Sequence, residues 1–204
     1  MKPVNALDRP WLNRYRRIIA SMLPDTANPG EHPPYQQIAH FVTAGKLVRL
    51  PDCITASHGQ DITKAVWHAI GNLQADPLQV RAVLSQVIAV QSNIGRILPA
   101  TSDDQPESVW YYELQLTHAL ATAGLLLDHE PFIAAALRAA AFILNEIQPD
   151  HATNRPWGLN AFLLSDETLP LADWMLHTTA VHLMTTPDPV TLLLLRDCLY
   201  CLPE

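Results

Sequence analysis

The chain has 204 residues, 49% hydrophobic and 16% charged, with 17 prolines, 7 glycines, 3 cysteines and a formal net charge of −7. Proline at roughly 8% and glycine at roughly 3% invert their average usage, which leaves too little glycine for a collagen-like, linker-rich or Rossmann-type chain. The aliphatic content excludes an intrinsically disordered chain, and three cysteines are too few for a disulfide-built scaffold.

Residues 1–60 are the least regular part. A short amphipathic helix is expected over 10–23, where Arg9, Arg14, Arg16 and Arg17 read as a solvated face beside Trp11, Leu12, Tyr15, Ile18 and Ile19. A turn-rich stretch follows, then a second short helix over 35–43. Residues 46–54 alone have strand character, and Pro51 confines them to a sheet edge.

From Asp61 the pattern changes to long helical segments, expected over 62–75, 78–98, 109–127, 132–147 and 190–202. Asp76-Pro77, Glu130-Pro131 and Asp188-Pro189 each open one of them. Proline fits the first helical turn because its missing N–H has no partner there, and the preceding acid suits the helix N-terminus. These junctions recur every 54 and 58 residues, so 61–204 reads as three antiparallel helical hairpins within one helical domain. The segments 132–147 and 190–202 are apolar nearly all round and must be covered on both sides. The expected fold is therefore all-α, a partial α/α toroid-like array, open or completed by a homodimer, because 204 residues cannot close six hairpins.

Charge is uneven. Residues 1–98 hold ten basic against six acidic residues, and residues 99–204 hold three against fourteen. The acidic half argues against a nucleic-acid surface. No secretory signal is expected, since the first 23 residues carry five basic residues and no apolar core. The apolar run 131–144 is interrupted by Arg138 and too short for a bilayer, so no membrane partner is expected. Cys53, Cys198 and Cys201 fit a reducing, cytoplasmic compartment, and the Cys198-x-x-Cys201 pair reads as packing thiols in a buried helix. No metal or cofactor motif is present: His177 and His182 splay apart on a helix, and phosphate- and dinucleotide-binding signatures are missing.

The candidate chemistry sits where polar residues interrupt apolar helices. Trp110, Glu113, Thr117, Ala121 and Gly124 fall in one helical stripe, and an ionisable Glu there faces a partner or a cavity unless it serves the helix terminus. Asp150, His151, Arg155 and Trp157 lie within eight residues and could supply a base, a cation and an aromatic platform. Asp173 and His177 are four apart on one helix face, as an oriented acid–base pair requires. The run 148–157, with Trp110, Tyr112, Glu113 and His118 upstream and Asp173 and His177 downstream, resembles an uncharacterised bacterial family of helical-hairpin proteins. More loosely it is similar to α/α-toroid domains of glycan-active enzymes and terpenoid cyclases, which implies a cavity at the ends of inner helices.

Two functions follow. The first is a ligand- or protein-binding and assembly module. The second is a carbohydrate-active enzyme with Glu113, His151, Asp173 and His177 as acid–base groups. In that reading Trp110, Tyr112, Asp150, Arg155 and Trp157 hold a small-molecule or glycan ligand, and the acid–base residues must converge on one pocket.

Overall fold

The structure, a computed structural model, describes residues 10–24, 32–49, 51, 57–98, 106–147, 149 and 153–202. The helices are α1 (Leu12–Ser21), α2 (Pro34–Thr43), α3 (Gly59–Gly71), α4 (Pro77–Ala89), α5 (Pro106–Leu126), α6 (Glu130–Glu146), the one-turn α7 (Leu159–Phe162), α8 (Leu169–Thr185) and α9 (Pro189–Cys201). A 3-10 turn at Asp166–Thr168 leads into α8. The fold is all-α, with no strand among the described residues. Residues 46–49, the described start of the expected edge strand, take no regular structure.

Helix starts follow local chemistry. Asp76 accepts a hydrogen bond from the Gln79 N–H, and Asp188 accepts from the N–H groups of Val190 and Thr191, each satisfying donors that the first turn leaves free. At the third junction Glu130 is itself the first helical residue and His129 precedes it. Helix ends use few glycines. Asp128 takes the left-handed position after α5 (φ 47°), and the His129 N–H reaches back to the Gly124 carbonyl, closing a Schellman-type turn. Ala44 does the same after α2 (φ 50°).

α4 ends at Ala89, nine residues before the end that periodicity predicts. The cause is tertiary. Gln91 donates to the carbonyls of Gly95 and Ala135 and accepts from the Arg138 guanidinium, which turns residues 90–98 back onto α6. Gly95 has φ +100°, and a Cβ there would meet the Arg138 carbonyl oxygen at 2.2 Å, so only glycine fits this approach.

α5 is the central helix, buried continuously from Glu113 to Gly124. It packs against α6, α3, α7 and α9. At Gly124 a Cβ would lie 2.9 Å from the Ile133 backbone nitrogen, and the missing side chain lets α5 and α6 close tightly. α5 packs against α6 and α3 against α4 across their short connections, whereas α8 and α9 do not form a closely packed pair. The last helix departs from a simple array, because α9 lies chiefly against α2 and also touches α1, α5 and α7. α1 and α2 are thereby drawn into the core. Tyr15, Ile19, Tyr35 and Ile38 are fully buried in the same cluster as Trp67, Phe132 and Phe162, each such side chain contributing about 2–3 kcal/mol of burial. Arg16, read from sequence as part of a solvated face, donates to the Leu199 carbonyl (3.1 Å) and to the Leu202 carbonyl, satisfying the C-terminal end of α9.

Candidate functional site

α5 carries Glu113 into the interior, where it is fully buried. Its Oε1 accepts from the Leu98 N–H at 2.7 Å, and both oxygens lie 3.1 Å from the Ile97 N–H. The Arg96 Nε stands 3.9 Å away. Burial pushes the Glu113 pKa up to about 7, against the opposing pull of the Leu98 and Ile97 N–H groups and of Arg96. A carboxyl poised there has the acidity of a proton shuttle, but its oxygens are taken by backbone donors. Its work is to fasten the 90–98 turn to α5. From Glu113 onward the stripe that contains it faces protein: Thr117 and Ala121 are buried, and Gly124 abuts Ile133.

A second buried centre was not singled out from the sequence. His118 and Thr122 of α5, Asn160 of α7 and Asp197 of α9 are fully buried together. The Gly158 N–H donates to His118 Nδ1 at 3.1 Å, which assigns the ring proton to Nε2, facing Asp197 Oδ2 at 3.1 Å. The Thr122 hydroxyl donates to the same oxygen at 2.7 Å, and Asn160 Nδ2 donates to Thr122 Oγ1 at 2.8 Å and to the His118 carbonyl at 3.2 Å. The network ties three helices together. A polar residue inside the apolar 190–202 run was the available signal, since a buried acid demands partners.

The remaining sequence-derived residues do not form one catalytic group. Asp150 and His151 lie outside the described residues. Trp157 is fully buried against Trp67, His118 and Tyr111, with ring centroids 5.6–6.3 Å apart. Asp173 is exposed and accepts from the Tyr15 hydroxyl at 2.8 Å rather than pairing with His177. Burial and that bond push the Tyr15 pKa up to about 12, so the phenol stays the donor. His177 is exposed on α8, and Trp110 is half-buried against the core. Burial, then the Asp197 charge, drives the Cys198 and Cys201 thiols well above their ordinary range, as packing thiols require. Among the described residues no cluster of His, Cys, Asp and Glu could hold a metal ion, and no helix is long and apolar enough to cross a membrane.

Arg155 has a structural engagement. Its Nε contacts Asp188 Oδ2 at 2.7 Å, and its guanidinium lies 5.3 Å from the Phe41 ring centroid. Burial disfavours ionised Asp188, but hydrogen bonds from Arg155, Thr191 and Val190 outweigh it and hold the carboxyl below its usual value. Asp188→Ala removes both the α9 cap and the ion pair. Cap loss costs about 1 kcal/mol and loss of the part-exposed ion pair about 0.5 kcal/mol, so thermal denaturation should show a fall of about 3–6 °C, with Asp188→Asn, which keeps a cap, losing less than half of that. Equal losses in the two variants would contradict this division.

Two open regions flank the α2–α3 pair, whose close approach is set by Gly71 against Ala39. One is a groove with cavities of about 810 and 350 Å³ that share Gln36, His40, Gly71 and Asn72. The other is a cleft of about 220 Å³ between α2, α3 and α5, walled by Phe41, Tyr111 and Tyr112 with Lys64, Gln60 and Gln115. Tyr112 was expected to face a ligand; Phe41, Lys64, Tyr111 and Gln115 were not identified from sequence. Glu113, Asp173 and His177 line none of these cavities. No family model, curated protein or solved structure matches this chain. The resemblance to bacterial hairpin proteins and toroid domains therefore rests on the residues quoted for it.

Proposed function

We propose that the chain is a small-molecule-binding helical module, acting in the cytoplasm, that does no acid–base chemistry of its own. The observation that carries this reading is the state of Glu113: fully buried, with its oxygens occupied by the Ile97 and Leu98 N–H groups. A general acid must reach its substrate within hydrogen-bonding distance. The open cavities are lined instead by amides, imidazoles, aromatic rings and a lysine, which recognise and orient a ligand. The free thiols of Cys198 and Cys201 support a reducing compartment.

A thermal-shift screen of sugars, sugar acids and aromatic acids tests this reading. A ligand present at a hundred times its Kd adds about 2.7 kcal/mol, equivalent to a rise of about 5–10 °C for a chain of this size. The shift should saturate, persist in Glu113→Gln and leave the ligand chemically unchanged. A shift abolished by Glu113→Gln, with product formed, would instead support the carbohydrate-active alternative.

A further inference from the structure

The geometry points to the α2–α3–α5 cleft as a binding site for a single-ring carboxylate, its ring against Phe41 and Tyr112, its charge on Lys64 and its polar edge on Gln115. This rests on the binding reading above and specifies the ligand.

Gln115 is the first ground. It is 3% exposed, lies one helical turn beyond Tyr111 and borders the cleft, yet its side-chain amide has no hydrogen-bond partner among the described residues. The amide borders the cleft with its hydrogen-bonding capacity uncommitted, so it can donate to a ligand's oxygen. The walls are the second ground. Tyr111 and Tyr112 stand with centroids 5.9 Å apart at 59°, and Trp157 braces Tyr111 edge-on at 6.3 Å. Phe41 is 44% exposed although Arg155 lies beside its ring. A planar or pyranose ring covers such surfaces well.

Charge and size narrow the class. Lys64 is half-buried and pairs with no carboxylate among the described residues, and no acidic residue lines the cleft. Asp61, one turn earlier on α3, is exposed outside it. In a chain of net charge −7, a cleft with a cation and no acid selects an anion. One ammonium beside neutral amides suits a monoanion. A volume of about 220 Å³ falls below the roughly 300–1,000 Å³ of larger ligand sites, so one ring fits and a disaccharide or nucleotide does not.

Isothermal titration with glucuronate and with 4-hydroxybenzoate, each beside its uncharged amide, separates a sugar source from an aromatic one. At least one acid should bind saturably, about tenfold or more tighter than its amide. Lys64→Met should abolish that difference without moving the melting temperature. Gln115→Leu should fold at least as stably and weaken acid and amide alike. The assignment is overturned if neither acid binds, or if Lys64→Met binds the acid as tightly as the wild type does. If neither acid binds while another screened ligand does, the cleft assignment falls and the binding reading stands; if nothing binds, both fall.

Discussion

Asp197→Ala will destabilise the protein by about 3–5 kcal/mol, lowering the melting temperature by about 8–15 °C. The carboxylate is the shared acceptor for the Thr122 hydroxyl (2.7 Å) and the His118 Nε2–H (3.1 Å), with all three groups fully buried. Truncation strands both donors where water does not reach, and each orphaned polar group costs about 1–3 kcal/mol. The imidazole cannot turn to a new partner, because Nδ1 is held by the Gly158 N–H at a glycine whose φ of +82° fixes the approach to α7. Asp197→Asn keeps one oxygen acceptor and should lose about 1–2 kcal/mol. Asp173→Ala, an exposed carboxylate with one bond to Tyr15, should stay within about 1 kcal/mol. Urea denaturation at neutral pH measures all three. A loss under 1 kcal/mol for Asp197→Ala would show that the network does not hold α5, α7 and α9 together.

What the sequence made legible was set by local chemistry, and what it hid was set by tertiary contact. Pro77 and Pro189, with Asp76 and Asp188 before them, mark helix starts because proline and a capping acid act within one turn. The end of α4 is different. Residues 90–98 keep helical spacing in Ile94 and Ile97, and only Gln91 meeting Arg138 and Ala135 of α6, with Gly95 against the Arg138 backbone, breaks the helix at Ala89. The apolar 190–202 segment needs cover on both sides, but periodicity cannot say that α2 provides it. The same limit applies to the site. Glu113 stood out as an acid among apolar neighbours, a pattern that a ligand cavity and a buried backbone anchor share. Gln115, two residues later, carries less signal because an uncharged amide is unremarkable on a helix until the fold places it on a cleft wall.

Glu113 gives the fold a pH dependence opposite to that of most carboxylates. In the folded chain burial raises its pKa from 4.5 to about 7, while the unfolded chain titrates near its ordinary value of about 4.3. Between about pH 4.5 and 7 the folded state therefore holds a proton that the unfolded state releases. The resulting stabilisation is fully present below that window and is lost as the pH rises through 7, by up to about 3 kcal/mol. Paired surface acids contribute in the other direction, so the comparison that isolates Glu113 is wild type against Glu113→Gln. The glutamine oxygen can still accept from the Leu98 and Ile97 N–H groups, which tether the 90–98 turn, but it does not titrate. The difference in unfolding free energy between the two proteins should fall by about 3 kcal/mol from pH 4.5 to 7.5 and then level off. Glu113→Ala should lose about 5 kcal/mol at pH 4.5, because it orphans both backbone donors and releases the turn that Gly95 seats on α6, and the deficit should shrink to about 2 kcal/mol by pH 7.5, since alanine does not titrate either. Parallel pH profiles for wild type and Glu113→Gln would mean that the carboxyl titrates as an exposed group does.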